Sequence, residues 1–375
     1  MSTRKELFSG VAYTAIAKYM GIVVSLAITM VLSRLLPVED FGVVAIATVI
    51  IAFFNIFCDL GMSPAIVQNQ SLEKKDLSGI FTFTICQGLF LSVAFYLISP
   101  AISTFYESER LLYICRILSV NILFTSLNIV PNAIFFKKKE FKYIAVRNFV
   151  VQFIGGALAI TSALNGFGIY ALLVNPLFTS IAIFIVGIVR YPQGFSFNIM
   201  FGAMRKILSF SGYQFLFNVI NFFSRNLDKL FIGKYLGETS LGYYEKSYRL
   251  MMLPLENISF IINPVMLPIF SDYQNDMSKM SHAYNKVIRF LAFLGFSLSA
   301  FLYFSSEELI YLLFGQQWGA SIPAFRILSI SVGIQIIMST AGAIFQAAGT
   351  TRILFYNGLI TSALNVAGID RKSVV

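Results

Sequence analysis

Charge is scarce in this sequence. Aspartate, glutamate, lysine and arginine make up 12% of its 375 residues, about half the share found in ordinary soluble domains. A chain of this length with so few charges cannot cover itself with a water-facing surface, which excludes a soluble enzyme or a nucleic-acid-binding module. Histidine occurs once, as His282 in a basic connection, where it reads as a solvated residue. The three cysteines, Cys58, Cys86 and Cys115, lie in or beside apolar stretches without paired spacing, so they indicate small buried hydrophobes and neither a disulfide framework nor a metal site. No glycine-rich phosphate loop or zinc-ligand spacing occurs, and no cofactor is expected.

What the sequence does have is apolar length. Hydrophobic residues make up 57% of the chain, and residues 21–32, 43–54 and 181–189 are solid apolar runs, unlike the strict alternation of a membrane barrel strand. Helices are then the way across a hydrocarbon core of roughly 30 Å. The pattern predicts an all-α polytopic bundle with spans near 8–34, 42–66, 79–99, 112–136, 143–164, 168–190, 207–236, 249–270, 286–305, 324–347 and 352–367. The basic amino-terminal flank precedes an apolar stretch too long for a signal peptide and reads as a retained first span. Connections are short, leaving no room for an extramembrane domain. Basic residues crowd one set of alternate loops, with Arg4, Lys5, Lys74, Lys75, Lys137, Lys138, Lys139 and Lys142 prominent among them. By the positive-inside bias this puts the amino terminus in the cytoplasm. The net charge of +10 is then topology and contact with anionic headgroups, with no nucleic acid required.

The chain also repeats itself. Arg116-Ile117-Leu118-Ser119 recurs as Arg326-Ile327-Leu328-Ser329, and Ala133-Ile134-Phe135 as Ala343-Ile344-Phe345, both at the same offset. Ile160-Thr161-Ser162-Ala163-Leu164-Asn165 returns as Ile360-Thr361-Ser362-Ala363-Leu364-Asn365. Ser9-Gly10 leads to Gly42 much as Ser211-Gly212 leads to Gly242. An even number of spans per copy makes the halves parallel repeats about an axis along the membrane normal. The lobes expected are 1–195, with six helices, and 202–375, cut off after about five. Where a further apolar span is due, Asp370-Arg371-Lys372 stand instead, which reads as a truncation or frameshift.

Ionisable residues inside spans cost several kcal/mol each on insertion scales and tend to face an interior or a watery cavity. Lys18 lies mid-span in the first helix, and Arg225, Asp228 and Lys229 share one face of the seventh. The functional reading is a cationic cavity in which Lys18, Arg225 and Lys229 attract an anionic group such as a diphosphate. The structural reading pairs Asp228 with Arg225 to hold helices together and lets Lys18 snorkel. Asp59, followed by Leu60-Gly61-Met62-Ser63-Pro64, is either a coupling carboxylate for a proton or cation or a hydrogen-bonding group at a helix end. Arg116 and Arg326 read as headgroup anchors. Pro131, Pro176, Pro254, Pro264 and Pro268 fall where they bend helices.

Four stretches carry a family resemblance. They are Leu32-Ser33-Arg34-Leu35-Leu36-Pro37-Val38-Glu39-Asp40-Phe41-Gly42, Asp59-Leu60-Gly61-Met62, Asp228-Lys229-Leu230-Phe231-Ile232-Gly233-Lys234-Tyr235-Leu236-Gly237 and Phe314-Gly315-Gln316-Gln317-Trp318. Together they resemble the polysaccharide transporter family, the Wzx-type oligosaccharide-lipid flippases of the superfamily that also holds the multidrug and toxic-compound extruders. The resemblance implies a V-shaped pair of six-helix lobes around an alternately opening cavity. It also implies a polyprenyl-diphosphate-linked oligosaccharide moved across a bacterial inner membrane, with membrane lipids and a proton or sodium ion as partners, no bond made or broken, and a monomer. Two alternatives are weighed against it. An extruder of small drugs usually favours an acidic cavity, which the basic excess opposes, and a membrane glycosyltransferase or polysaccharide polymerase needs a sizeable extramembrane loop.

Overall fold

In the computed structural model the described residues are 2–69, 71–196, 202, 208–271, 273 and 276–347. They form helices joined by short turns. α1 (Ser2–Leu35), α2 (Val38–Asp59), α3 (Met62–Gln68), α4 (Lys74–Tyr106), α5 (Glu109–Leu127), α6 (Ile129–Lys137), α7 (Phe141–Leu164) and α8 (Ala171–Arg190) come first. α9 (Leu208–Tyr235), α10 (Gly237–Ser271), α11 (Met277–Phe304), α12 (Ser306–Phe314), α13 (Ser321–Met338) and α14 (Ala341–Ala347) follow.

Eight segments among the described residues are long and apolar enough to cross a membrane: Lys18–Leu35, Val38–Gln68, Lys74–Tyr106, Glu109–Lys137, Phe141–Leu164, Gly168–Arg190, Met277–Phe304 and Ser321–Met338. The chain is a multi-pass membrane protein. The spans expected at 207–236 and 249–270 are helical, as α9 and α10, but fall outside this set. α9 concentrates Arg225, Asp228 and Lys229 in a little over one turn, and α10 scatters Glu256, Asn257 and Asn263 with three prolines through its apolar stretch. The last expected span, 352–367, lies outside the described residues, as do the second copy of the Ile160–Asn165 match and the carboxyl-terminal residues on which the truncation was read. The loop expected after residue 236 is absent, because α10 begins at once at Gly237, whose φ of +84° makes the turn without a side-chain clash.

Two spans of the first half are interrupted by the same device. A proline removes an amide donor and its ring collides with the carbonyl four residues earlier. Pro64 therefore ends α2 around Leu60, where Leu60 and Gly61 turn left-handed at φ 45° and 74°, and Pro131 ends α5 at Leu127. The α5–α6 break recurs between α13 and α14, the spans that share the Arg-Ile-Leu-Ser and Ala-Ile-Phe matches.

The described chain divides into two compact units, one of Met1–Asn226 with Leu230–Thr239, the other of Leu227–Lys229 with Ser240–Val375. In the first, α4 packs on α5, α1 on α7 and α7 on α8. Small residues let these helices approach closely. A Cβ at Gly156 of α7 would stand 2.0 Å from Ile28 of α1. This unit takes in the first part of α9, beyond the expected boundary at 195–202, because Phe222 and Phe223 lie against Phe53 of α2, and Phe215 lies against Phe57. It also holds the α9–α10 turn. Lys234 Nζ pairs with Glu107 Oε1 at 2.8 Å, Thr239 donates to Glu39, and Gly42 lies directly on the Glu238 backbone. In the second unit α11 packs on α13, where Gly295 meets Gly333 and the Gly333 amide donates to Ser299 Oγ at 2.8 Å. The Phe-Gly-Gln-Gln-Trp stretch forms a plug. Trp318 is fully buried, edge-on to Tyr243, with the buried ammonium of Lys246 5.1 Å from both the Trp318 and Phe314 ring centres.

Candidate functional site

The charged seam lies between α9 and α10. Leu227–Lys229 of α9 belong to the second unit together with α10 from Ser240 onward, and their side chains meet those near the start of α10. Asp228 accordingly accepts a hydrogen bond from the Tyr244 hydroxyl. Lys229 Nζ lies 2.8 Å from Glu245 Oε2, an ion pair too oblique to be a hydrogen bond, and 4.5 Å from the centre of the Tyr248 ring. The lysine side chain is 11% exposed and the glutamate 29%. An ammonium with so little water is held by a carboxylate and a ring face together. Asp228, Lys229, Tyr244, Glu245 and Tyr248 thus meet within the second unit.

The Asp228–Arg225 pairing offered by the structural reading is not seen among the described residues. The partner of Asp228 is Tyr244, and Arg225 is exposed with no ion pair among the described residues. A tyrosine on the facing helix reaches the carboxylate across the seam, whereas the arginine lies a turn away along its own helix. Lys18 is half-buried on α1. It recurs at helical spacing with Gly21, whose carbonyl takes a hydrogen bond from Gln152 of α7, and with Ile28 against Gly156, so it belongs to the face of α1 that meets α7. The structure thus brings Asp228 and Lys229 to one seam.

Asp59 sits at the α2–α3 break and its Oδ1 accepts the Ser63 amide at 3.0 Å, the helix-start role that the sequence allowed. Polar side chains gather near the two interruptions. Gln87 donates to the freed Phe57 carbonyl, Cys58 to Ile122 and Asn128 to Ser180. The amide oxygens of Asn55, Gln87 and Asn128 are buried without a hydrogen-bond donor. Among the described residues, no group of three or more His, Cys, Asp or Glu side chains is placed to hold a metal ion. Arg116 and Arg326 turn to neighbouring helices instead of solely to headgroups. Arg116 lies 5.0 Å from the Tyr96 ring centre, and Arg326 donates to Ser306 at 2.8 Å and lies 3.8 Å from Glu307.

Sequence reasoning missed Tyr244, Glu245 and Tyr248, since it read 237–248 as a loop. The available signal was the glycine at 237 flanked on both sides by helical, polar-studded sequence, which predicts a helical hairpin and hence equidistant partners.

A family model described as "Polysaccharide biosynthesis protein" matches residues 31–323. The teichuronic acid biosynthesis protein TuaB of Bacillus subtilis is 25% identical over 362 residues, 95% of this chain and 74% of that one. The succinoglycan biosynthesis transport protein ExoT of Rhizobium meliloti is 25% identical over 355 residues, 92% of this chain and 71% of its own length. The lipopolysaccharide biosynthesis protein WzxC of Escherichia coli is 24% identical over 373 residues, 98% and 75% of the two chains. Among solved structures, a lipid II flippase MurJ in an inward closed conformation superposes with a TM-score of 0.73 at 17% identity, covering 93% of this chain and 79% of that one. An inward-facing multidrug resistance transporter of the MATE family gives 0.63 at 19% identity, covering 92% and 83%. The fold is the one these transporters share.

Proposed function

The chain belongs to the polysaccharide biosynthesis protein family, and from that premise we propose that it translocates a polyprenyl-diphosphate-linked oligosaccharide across a bacterial inner membrane for surface polysaccharide or lipopolysaccharide synthesis. The observation that carries this reading is the likeness over nine-tenths of the chain to ExoT, a succinoglycan biosynthesis transport protein. The fold is common to flippases and drug extruders and does not separate them. Transport needs no bond to be made or broken, so the protein acts as a carrier and not as an enzyme, with its amino terminus in the cytoplasm.

On this reading the substrate diphosphate is held by cations in a low-dielectric interior, with Lys18, Arg225 and Lys229 as the groups that provide them. Their standing differs. Arg225 is exposed and has no ion pair among the described residues, so its charge is open to a ligand. Lys229 already neutralises Glu245 and engages a diphosphate by leaving that carboxylate, which couples substrate binding to the α9–α10 seam. Asp59 and Asp228 are the carboxylates available to a coupling proton or sodium ion. The protein works as a monomer.

The test is complementation of a strain lacking its own flippase, scored by surface glycan and by accumulation of lipid-linked oligosaccharide. Arg225→Glu is expected to abolish surface glycan while the protein still inserts. Normal glycan from that variant would remove Arg225 from the site. Unaltered lipid-linked intermediate together with changed drug susceptibility would favour the extruder reading.

A further inference from the structure

A second basic cluster belongs to the first unit, where α6 meets α7 and α8 runs out. Three cations there rest against aromatic rings. Lys138 Nζ lies 4.0 Å from the Tyr191 ring centre, the Arg190 guanidinium 5.7 Å from that of Tyr143, and the Arg147 guanidinium 5.0 Å from that of Phe135. Phe135 stacks on Tyr143 and meets Tyr191 edge-on, so the rings form one wall carrying all three charges. The carboxylate beside them is Glu140. It takes the Tyr191 hydroxyl hydrogen bond and lies 3.8 Å from Arg190.

The cluster is short of negative charge. Arg147 is 8% exposed. Its Nε and Nη2 donate to the neutral amide oxygen of Asn148, and its Nη1 is buried with no acceptor among the described residues. Burying an arginine this deeply without a carboxylate is costly unless an anion compensates it. From behind the ring wall its field is poorly screened and adds to that of Lys138 and Arg190, which are exposed.

Location says what the anion is. The cluster sits where the spans Glu109–Lys137 and Gly168–Arg190 end and Phe141–Leu164 begins, which is headgroup depth. From Tyr143 an exposed apolar stripe, Val146, Val150 and Phe153, continues along α7 at helical spacing. We infer that this corner binds the phosphate headgroup of an anionic membrane phospholipid. Lys138 and Arg190 contact the phosphate, Arg147 supplies standing positive potential behind the rings, and the acyl chains follow the α7 stripe. Basic pockets between spanning helices are suited to such headgroups.

The experiment uses the full chain purified into nanodiscs of phosphatidylcholine, with phosphatidylglycerol titrated in and bound lipid counted by native mass spectrometry alongside thermal stability. The wild type is expected to retain phosphatidylglycerol and to gain stability. Each basic group near a headgroup is worth about fivefold, so Lys138→Gln with Arg190→Gln should weaken retention roughly 25-fold. Lys74→Gln with Lys75→Gln removes the same charge from two other exposed residues and should change it little. Glu140→Gln, which keeps a hydrogen-bonding group for Tyr191, should strengthen retention even if the double variant fails to fold. Equal loss in the Lys74/Lys75 variant, or no gain in Glu140→Gln, overturns the inference in favour of general surface charge. Equal stabilisation by inorganic pyrophosphate overturns the lipid assignment.

Discussion

The ion pair between Lys229 and Glu245 offers the sharpest test of what the α9–α10 seam does. At 2.8 Å and an effective dielectric of about 20, the gross attraction is roughly 6 kcal/mol. Desolvation of both groups cancels much of it, and removing one partner of a buried pair typically costs about 3–5 kcal/mol because the other charge is stranded. Glu245 retains some exposure, 29%, and water reaching it lowers the expected cost of Lys229→Met to roughly 2–3 kcal/mol. Lys229→Met combined with Glu245→Leu should recover most of that, since an apolar pair of similar volume strands nothing. The exchange Lys229→Glu with Glu245→Lys should recover it too. Thermal unfolding of the four corners of the cycle in one lipid-detergent mixture measures the coupling. A coupling below about 0.5 kcal/mol would mean that the two charges are solvated separately and that the seam is not held by them. The same variants separate structure from transport. If Lys229 only holds the helices, the exchanged pair transports normally. If its ammonium meets the substrate diphosphate, the exchanged protein is stable and inactive, because position 229, against the Tyr248 ring, then carries a carboxylate.

Three further outcomes follow from the geometry. Gly42→Val places a Cβ 1.8 Å from the Glu238 carbonyl oxygen, so α2 and the α9–α10 turn must separate. Protease sensitivity of the turn should rise sharply, and unchanged cleavage would contradict the close approach. Trp318→Ala empties the plug and removes one ring from Lys246, with an expected loss of about 3–5 kcal/mol; Trp318→Phe should lose much less, and equal losses would count against packing as the cause. Glu107 sits outside the spans, and the hydrogen bond from Lys234 holds its carboxyl below the ordinary value of 4.5. A depressed carboxyl stabilises the fold above its unfolded value, and that contribution fades as pH falls through the folded one. Protection factors at Leu236–Thr239, which take out the intrinsic pH dependence of amide exchange, should therefore fall on acidification below about pH 4, and Glu107→Gln should remove that dependence.

Much of this architecture was legible in the residues. Apolar runs declare spanning helices because hydrophobic transfer is a local, nearly additive property of each side chain. Pro64 and Pro131 announce the α2–α3 and α5–α6 breaks, since a missing amide donor acts on its own turn whatever surrounds it. The Arg-Ile-Leu-Ser repeat pointed to the correspondence between α5–α6 and α13–α14, and Asp59 to a carboxylate at a helix start. Lys229 stood out as an ammonium in a place where ammonium groups are costly.

What lay beyond the sequence was which groups answer those costs. Glu245 and Tyr244 reach Lys229 and Asp228 only through the packing of the second unit, which no one-dimensional pattern specifies. Arg147 is likewise one basic residue among many in the sequence, and only the packing of α7 near α6 brings its guanidinium over Phe135. Hydrophobicity is a sum over single residues, so it survives being read in one dimension. Charge compensation inside a bundle depends on distances of a few ångströms between helices, and those exist once the helices have packed.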